Sequence, residues 1–144
     1  PRAWRCVMRI AIAGAGGRMG QALIEATLAA PDLALAGALD LPRSPAIGAD
    51  AGERCGRSTG IHVVSDIEDV VGVSDVLIDF TRPAGTLAHL AACARAGVAA
   101  VVGTTGIDAA GKAEIAAHAA FRRKLYDHDV VPEAEAAARA LGGP

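Results

Sequence analysis

The chain has 144 residues, of which 52% are apolar and 21% charged, so it can bury the core of one domain and is not disordered by composition. Aromatic residues make up only 3%, so the core must consist of Ala, Val, Ile and Leu. A formal net charge of -2 gives no electrostatic reason to expect nucleic acid or an anionic membrane as a partner. No apolar run reaches the roughly 18 to 20 residues that a membrane helix needs.

The N-terminal residues and the cysteines suggest a cytoplasmic protein. Residues 1–7 precede Met8 without the apolar stretch of a secretory signal, and we interpret them as an extension. Cys6, Cys55 and Cys93 are an odd number, without C-x-x-C spacing or a histidine in ligand register. This pattern argues against a disulfide framework and a metal site, and it favours a reducing compartment.

Predicted strands and helices alternate along the chain. Strands are expected at residues 9–13, 33–39, 61–64, 75–80 and 98–102, with a loop over 41–60. Helices are expected at residues 18–30, 66–71 (capped by Ser65), 83–96 and 108–118. Near-continuous apolar strands joined by helices are typical of buried parallel sheets. We therefore predict an α/β fold with a doubly wound, mainly parallel sheet, a Rossmann-type dinucleotide-binding domain over residues 8–120.

A glycine-rich segment, Gly14-Ala-Gly-Gly-Arg-Met-Gly20, joins the first predicted strand to the first helix. Glycines here permit a sharp turn, close approach of the backbone to a pyrophosphate, and tight packing of helix on strand. The helix dipole then favours the phosphate charge. The predicted pyrophosphate site consists of Gly14, Ala15, Gly16, Gly17, Arg18 and Met19. The alternative is that the glycines only make a tight turn.

An acidic residue, Asp40, closes the second predicted strand. A carboxylate at this place can accept hydrogen bonds from both hydroxyls of an adenosine ribose. In the alternative interpretation Asp40 is a solvated residue at the end of a strand.

Two further segments, residues 79–83 and 103–106, follow the fourth and fifth predicted strands. Ligands of open α/β sheets bind at the carboxyl ends of strands, so a nicotinamide could lie there. Taken alone, these segments favour a structural interpretation, in which Asp79 caps and Pro83 starts a helix, while the glycines merely turn the chain.

Four segments together resemble the 4-hydroxy-tetrahydrodipicolinate reductase (dihydrodipicolinate reductase) family, a bacterial oxidoreductase of the diaminopimelate route to lysine. They are residues 12–20, 78–83, 85–87 and 102–106, and the resemblance runs from about residue 8 to 117. It implies that residues 14–19 bind pyrophosphate and that Asp40 holds the ribose. It also implies that the nicotinamide is bordered by Phe80, Thr81, Gly103, Thr104 and Thr105.

One departure from the family concerns the cofactor. The family often has Glu followed by Arg where this chain has Asp40 and Leu41, and that Arg can hold the 2′-phosphate of NADP. Leucine cannot bind phosphate, and a carboxylate repels it. We therefore expect NADH to be preferred, with NADPH also accepted if Arg18 or Arg43 reaches the phosphate.

The second departure concerns the substrate domain. In the family it carries a His-His pair, a nearby Lys and a Gly-Thr, and this chain has none of them, so no catalytic residue is predicted. The histidines are scattered: His89 is expected on a helix face, His62 in or beside a strand and His118 on the surface, with His128 further on.

The character of the chain changes after about residue 120. A basic run (121–124) precedes residues 125–130, which faintly resemble the extreme C-terminal tail of the same family, and residues 132–141 can be helical. We interpret 121–144 as an atypical tail. Two explanations of this tail remain open. The chain carries both ends of the enzyme with its middle removed, or a frameshifted or mis-joined reading has given an unrelated tail.

The resemblance implies a unit that binds NADH or NADPH for a reductase and is weak or inactive alone. Rival functions are a non-enzymatic dinucleotide-binding or sensor module, another two-domain dehydrogenase, and a truncated inactive fragment. The expected partner is a small dinucleotide, and homo-oligomer formation is left open.

Overall fold

A computed structural model describes residues 7–117, which form a parallel sheet with helices on both faces. The strands are β1 (Met8–Ala13), β2 (Leu33–Leu39), β3 (Val76–Asp79) and β4 (Ala99–Val102), in the spatial order β2-β1-β3-β4. The helices are α1 (Arg18–Ala29), α2 (Glu68–Val71), α3 (Pro83–Ala96) and α4 (Ala109–Ala117), with a short 3-10 helix at Glu53–Cys55. The strand pairs among residues 7–117 are all parallel. The predicted doubly wound fold is confirmed.

The core lies on both faces of the central strand β1. Ile10 and Ile12 point to one face, where they pack in a cluster with Ile24 of α1. Ala11 and Ala13 point to the other face, where small side chains let α2 and α3 approach the sheet. Two-sided burial explains why the strand is apolar at nearly every position rather than at alternate ones.

The order of the strands brings the loops after β1 and β3 next to each other at the carboxyl end of the sheet. The chain crosses from β1 to β2 through α1, then returns past β1 to form β3 on its other side. The topology therefore reverses between β1 and β3, and the loops after these two strands diverge to opposite faces. Such a switch point is the usual ligand-binding crevice of an open α/β sheet.

The predicted third strand, residues 61–64, is wrong. This segment makes only isolated bridges, Leu39 with Val64 and Asp50 with His62. Its N–H groups are divided between two neighbours, since Val64 donates to Ala38 of β2 and Val63 donates to Ala49 of the preceding loop. It therefore runs beside β2 without forming a continuous ladder.

The remaining differences are at the ends of elements. Strands β3 and β4 are shorter than predicted, and α4 begins after Asp108, whose carboxylate accepts a hydrogen bond from the N–H of Gly111. Ser65 does not cap α2, because the carboxylate of Asp66 accepts the N–H of Glu68 instead. Pro83 starts α3 and Gly97 ends it in a left-handed conformation, as predicted.

Several predictions lie outside the described residues. They concern the extension before Val7, His118, His128 and the tail 121–144. Among the described helices, none is long and apolar enough to cross a membrane.

Candidate functional site

The glycine-rich loop turns sharply out of β1 and leads directly into α1. Gly14 adopts a φ of 85°, and its N–H and that of Ala15 both donate to the carbonyl of Leu39 at 2.9 and 3.0 Å. The N–H of Gly17 donates to the carbonyl of Gly14 at 3.0 Å. The first two bonds hold the loop against the end of β2. Together the three bonds occupy three N–H groups of the loop, which are therefore not available to a ligand.

The first turn of α1 has donors without partners. Gly17 is the N-cap and provides no side-chain cap, and no acidic residue lies in the first turn. Among residues 7–117, nothing accepts a hydrogen bond from the N–H of Arg18 or Met19. Both residues are exposed, so these two N–H groups and the positive end of the helix dipole face solvent. This is the part of the predicted pyrophosphate site with free binding capacity.

Asp40 directly follows β2 and lies against the glycine-rich loop. Its Oδ2 accepts hydrogen bonds from the N–H of Gly16 and the hydroxyl of Ser44, both at 2.8 Å. Its Oδ1 accepts the N–H of Leu41 at 2.8 Å. A Cβ at Gly16 would lie 2.4 Å from Oδ2, so this close approach requires glycine. The predicted ribose acid and the predicted phosphate loop are therefore in direct contact.

A cleft of about 450 Å³ opens beside Asp40. One wall is the glycine-rich loop, and the other is the segment 44–54 of the loop after β2, to which no motif in the sequence assigns a function. The cleft is lined by Gly16, Gln21, Asp40, Ser44, Pro45, Ala46, Ala49, Asp50, Ala51, Glu53, Arg54 and Val63. Neither of the two cations expected to reach a phosphate, Arg18 and Arg43, lines it.

Asp50 gives that loop its shape. Its carboxylate accepts the hydroxyl and N–H of Thr59 and the N–H groups of Gly52 and Gly60. The Thr59 hydroxyl, followed by the Gly52 N–H, lowers the pKa of Asp50 below its usual range. A second concavity of about 500 Å³ lies on the Arg57 side of this loop and contains none of the predicted site residues. We therefore place the candidate site in the cleft beside Asp40.

The loops after β3 and β4 meet around one buried carboxylate. Asp79 is 1% exposed, and its Oδ1 accepts the hydroxyls of Thr81, Thr86 and Thr104 at 2.7 to 3.0 Å. Its Oδ2 lies 2.6 Å from Nδ1 of His89 on α3, and an ionised carboxylate can only accept, so the imidazole donates. The interpretation of Asp79 as a helix cap is wrong. It joins β3, α3 and the loop after β4.

Four of the five residues predicted to border a nicotinamide lie close together, and Thr105 is the exception. A Cβ at Gly103 would lie 2.0 Å from Cζ of Phe80, so the aromatic ring occupies the space that a larger side chain would need. The N–H of Thr81 donates to the hydroxyl of Thr104 at 3.0 Å. Thr105 is exposed at the edge of the group.

The two halves of the site are adjacent. A Cβ at Gly14 would lie 2.4 Å from the carbonyl oxygen of Phe80 and 3.5 Å from the methyl group of Thr81. The loops after β1 and β3 are therefore in van der Waals contact where they leave their strands, before they lead to helices on opposite faces of the sheet. An elongated ligand with a phosphate at α1 would have one end near Asp40 and the other near Thr81 and Thr104.

The described residues contain two free cysteines in different environments. Burial, with the negative charges of Asp79 and Glu68, raises the pKa of Cys93 to about 12, whereas Cys55 is half-buried. We expect iodoacetamide to modify Cys55 much faster than Cys93 in the folded protein, and both at similar rates in urea. Peptide mapping by mass spectrometry checks this. Equal rates in the folded state would contradict the burial of Cys93.

Comparison with known proteins identifies the family. Residues 8–126 match the family model described as "Dihydrodipicolinate reductase, N-terminus". The 4-hydroxy-tetrahydrodipicolinate reductase of Cupriavidus necator is 60% identical over 109 residues, covering 76% of this chain and 41% of that protein. The enzyme of the same name from Burkholderia pseudomallei is 58% identical over 110 residues, covering 76% and 42%. This chain thus spans about two fifths of the length of these relatives.

Two solved structures share the fold. Dipicolinate-bound dihydrodipicolinate reductase from Paenisporosarcina sp. TG-14 has a TM-score of 0.62 at 23% identity, covering 82% of this chain and 44% of that chain. GenD2 from gentamicin A biosynthesis, in complex with NAD, has a TM-score of 0.65 at 23% identity, covering 85% and 34%. At this level of identity, the likeness supports the Rossmann-type fold alone, and membership rests on the family model and the closely similar sequences. The chain belongs to the dihydrodipicolinate reductase family and corresponds to its N-terminal domain.

Proposed function

We propose that this chain is the cofactor-binding part of a 4-hydroxy-tetrahydrodipicolinate reductase and binds NADH in preference to NADPH. The observation that carries the proposal is the contact between Asp40 and Gly16, which joins a ribose-type acid to a phosphate-type loop at the switch point of the sheet. Family membership and the NAD bound to GenD2 support the same class of ligand.

In this proposal, each part of the cofactor is assigned to a group of described residues. The free N–H groups of Arg18 and Met19 would hold the pyrophosphate at the start of α1. Asp40 would accept the ribose hydroxyls, and the adenosine would enter the cleft beside it. Phe80 and Thr104 would border the nicotinamide, which supplies a hydride when bound.

The preference for NADH follows from charge. The carboxylate of Asp40 would face a 2′-phosphate, and Leu41 offers it no compensating cation. At an effective dielectric constant of about 20, two like charges 4 Å apart repel by about 4 kcal/mol, and solvent screening reduces this in an open cleft. A cytoplasmic location is part of the same proposal and is supported by the free thiols of Cys55 and Cys93.

Reduction of the substrate is proposed for the complete enzyme, because the relatives are more than twice as long as the matched segment. Among the described residues we assign no group that delivers a proton to a substrate. Among the described histidines, His89 contacts the residues of these loops, and its imidazole is engaged with Asp79. We therefore expect the chain alone to bind the cofactor and to turn over substrate weakly or not at all.

Calorimetric titration of the full chain with NADH and with NADPH tests the proposal. We expect NADH to bind in the micromolar range and NADPH about tenfold or more weakly. Asp40→Asn keeps the shape of the side chain but removes its charge, so NADH should bind about 10- to 100-fold more weakly, the loss expected for hydrogen bonds to a charged group.

The matched control is Asp69→Asn, an exposed carboxylate on α2 away from the cleft, which should bind NADH like the wild type. Absence of binding by either cofactor, in a sample shown to be folded by circular dichroism, would refute dinucleotide binding. Turnover of substrate at the rate of a complete enzyme would refute the assignment of this chain as a cofactor-binding part only.

A further inference from the structure

Negative charges outnumber positive charges among the residues that line the cleft. Three carboxylates line it, those of Asp40, Asp50 and Glu53, against one positive charge, that of Arg54. The carboxylate of Asp50 is occupied by donors of its own loop. Asp40 likewise accepts three hydrogen bonds from the protein. Hydrogen-bonded carboxylates keep their charge, so a negatively charged ligand would meet a surplus of negative charge, and Arg54 is the only cation among the described residues that line the cleft.

Arg54 is held at the glycine-rich loop by a single hydrogen bond. Its Nη1 donates to the carbonyl oxygen of Gly16 at 2.9 Å, while the N–H of the same glycine donates to Asp40 at 2.8 Å. The guanidinium and the ribose-type acid are therefore both bonded to one residue. A guanidinium has five N–H donors, and its planar fork suits phosphate, so most of its binding capacity remains. Arg54 is exposed, which leaves these donors accessible to a ligand.

We propose that Arg54 is the residue that lets this cleft accept a phosphate group on the adenosine ribose, and that it sets how strongly NADPH is disfavoured. The inference rests on the proposed function. It assigns the compensating cation to a residue 14 positions after Asp40 in the sequence, in place of the missing arginine at position 41. Arg18 and Arg43 do not line the cleft and do not take this role.

The direct test is calorimetric titration of wild type and Arg54→Gln with NADPH and NADH. We expect the variant to bind NADPH about 10- to 100-fold more weakly, the range for one charge-assisted hydrogen-bonding group, and NADH less than about threefold more weakly. Arg54→Lys should recover part of the NADPH affinity, because it keeps the charge but loses the fork. Glu53→Gln should strengthen NADPH binding by removing a neighbouring negative charge.

The matched control is Arg57→Gln. Arg57 belongs to the same loop, is exposed, and likewise donates one Nη1 hydrogen bond to a backbone carbonyl, that of Leu28, but it does not line this cleft. It should leave both affinities unchanged. An equal effect of Arg57→Gln and Arg54→Gln on NADPH would overturn the proposal, since general charge would then explain the result.

Other outcomes also decide the question. Equal losses for NADH and NADPH in Arg54→Gln would assign Arg54 to a part common to both cofactors and overturn the proposal. A wild type that binds NADH without detectable NADPH overturns it too, and leaves the proposed function standing. A folded wild type that binds neither cofactor removes the proposed function itself. Thermal melting of each variant shows whether a loss of affinity reflects unfolding.

Discussion

Replacing Asp79 by alanine is expected to lower the free energy of unfolding by about 3 to 5 kcal/mol, the loss typical of removing one partner from a buried charged network. The carboxylate is 1% exposed, and without it the buried hydroxyl of Thr86 and the half-buried imidazole of His89 lose a shared acceptor. The loss is costly because water has little access to the position of the carboxylate. Urea denaturation, followed by circular dichroism, measures the change.

Two further variants keep this prediction testable if the alanine variant does not fold. Asp79→Asn retains an acceptor oxygen for the threonine hydroxyls, so we expect a smaller loss of about 1 to 3 kcal/mol. Asp75→Asn is the matched control just before the same strand. Asp75 pairs with Arg9 at 2.9 Å, but both side chains are about half exposed, so the loss should be below about 1 kcal/mol. Equal losses for Asp75→Asn and Asp79→Asn would contradict the central position of Asp79.

The same network gives stability a defined dependence on pH. Burial by itself raises the pKa of Asp79, but the hydrogen bonds from His89 and Thr81 outweigh it and hold the pKa below the usual value of 3.8. The contribution of Asp79 is therefore fully present above pH 3.8 and is lost as the pH falls through the lower folded-state pKa. We expect the difference in stability between wild type and Asp79→Asn to shrink as the pH is lowered below 3.8. A difference that is constant with pH would contradict this.

The elements that could be predicted from the sequence are those with both an apolar run and clear boundary signals. Strand β2 and helix α3 have the predicted bounds because Leu33–Leu39 is continuous and α3 lies between Pro83 and Gly97. Residues 61–64 have the same apolar character, but a strand also needs a partner along its length. Its partners are divided between β2 and a loop without periodicity, and local sequence does not reveal that division.

The candidate site was predictable in its types of residue and less so in its connections. The positions of Gly14, Asp40 and Thr104 follow from the rule that ligand loops lie at the carboxyl ends of parallel strands. The convergence on Asp79 had one signal, since Thr86 and His89 are three residues apart on one face of α3. Arg54 had none, because its loop owes its conformation to hydrogen bonds with Asp50 and not to any repeating pattern.

The second large effect is expected for Gly20→Ala, which should weaken NADH binding on the order of 100-fold or more and destabilise the fold by about 1 to 3 kcal/mol. A Cβ at this position would lie 2.0 Å from the carbonyl oxygen of Gly14 and 2.9 Å from Cα of Ala15. Both are backbone atoms and cannot rotate away, so α1 or the loop must move. Such movement displaces the N–H groups of Arg18 and Met19, which are the proposed donors to the pyrophosphate.

The direction of the change in stability distinguishes the effect of packing from that of helix propensity. Gly20 lies inside α1, where alanine is favoured over glycine by about 1 kcal/mol, so propensity alone predicts stabilisation. Gly72→Ala is the matched control, because a Cβ there would meet no atom closer than 3.9 Å. It should leave NADH affinity unchanged and stability within about 0.5 kcal/mol. Calorimetry measures the NADH affinity of both variants, and thermal melting measures their stability. If Gly20→Ala binds NADH like the wild type, the close contact of α1 with Gly14 is not needed to form the proposed phosphate site.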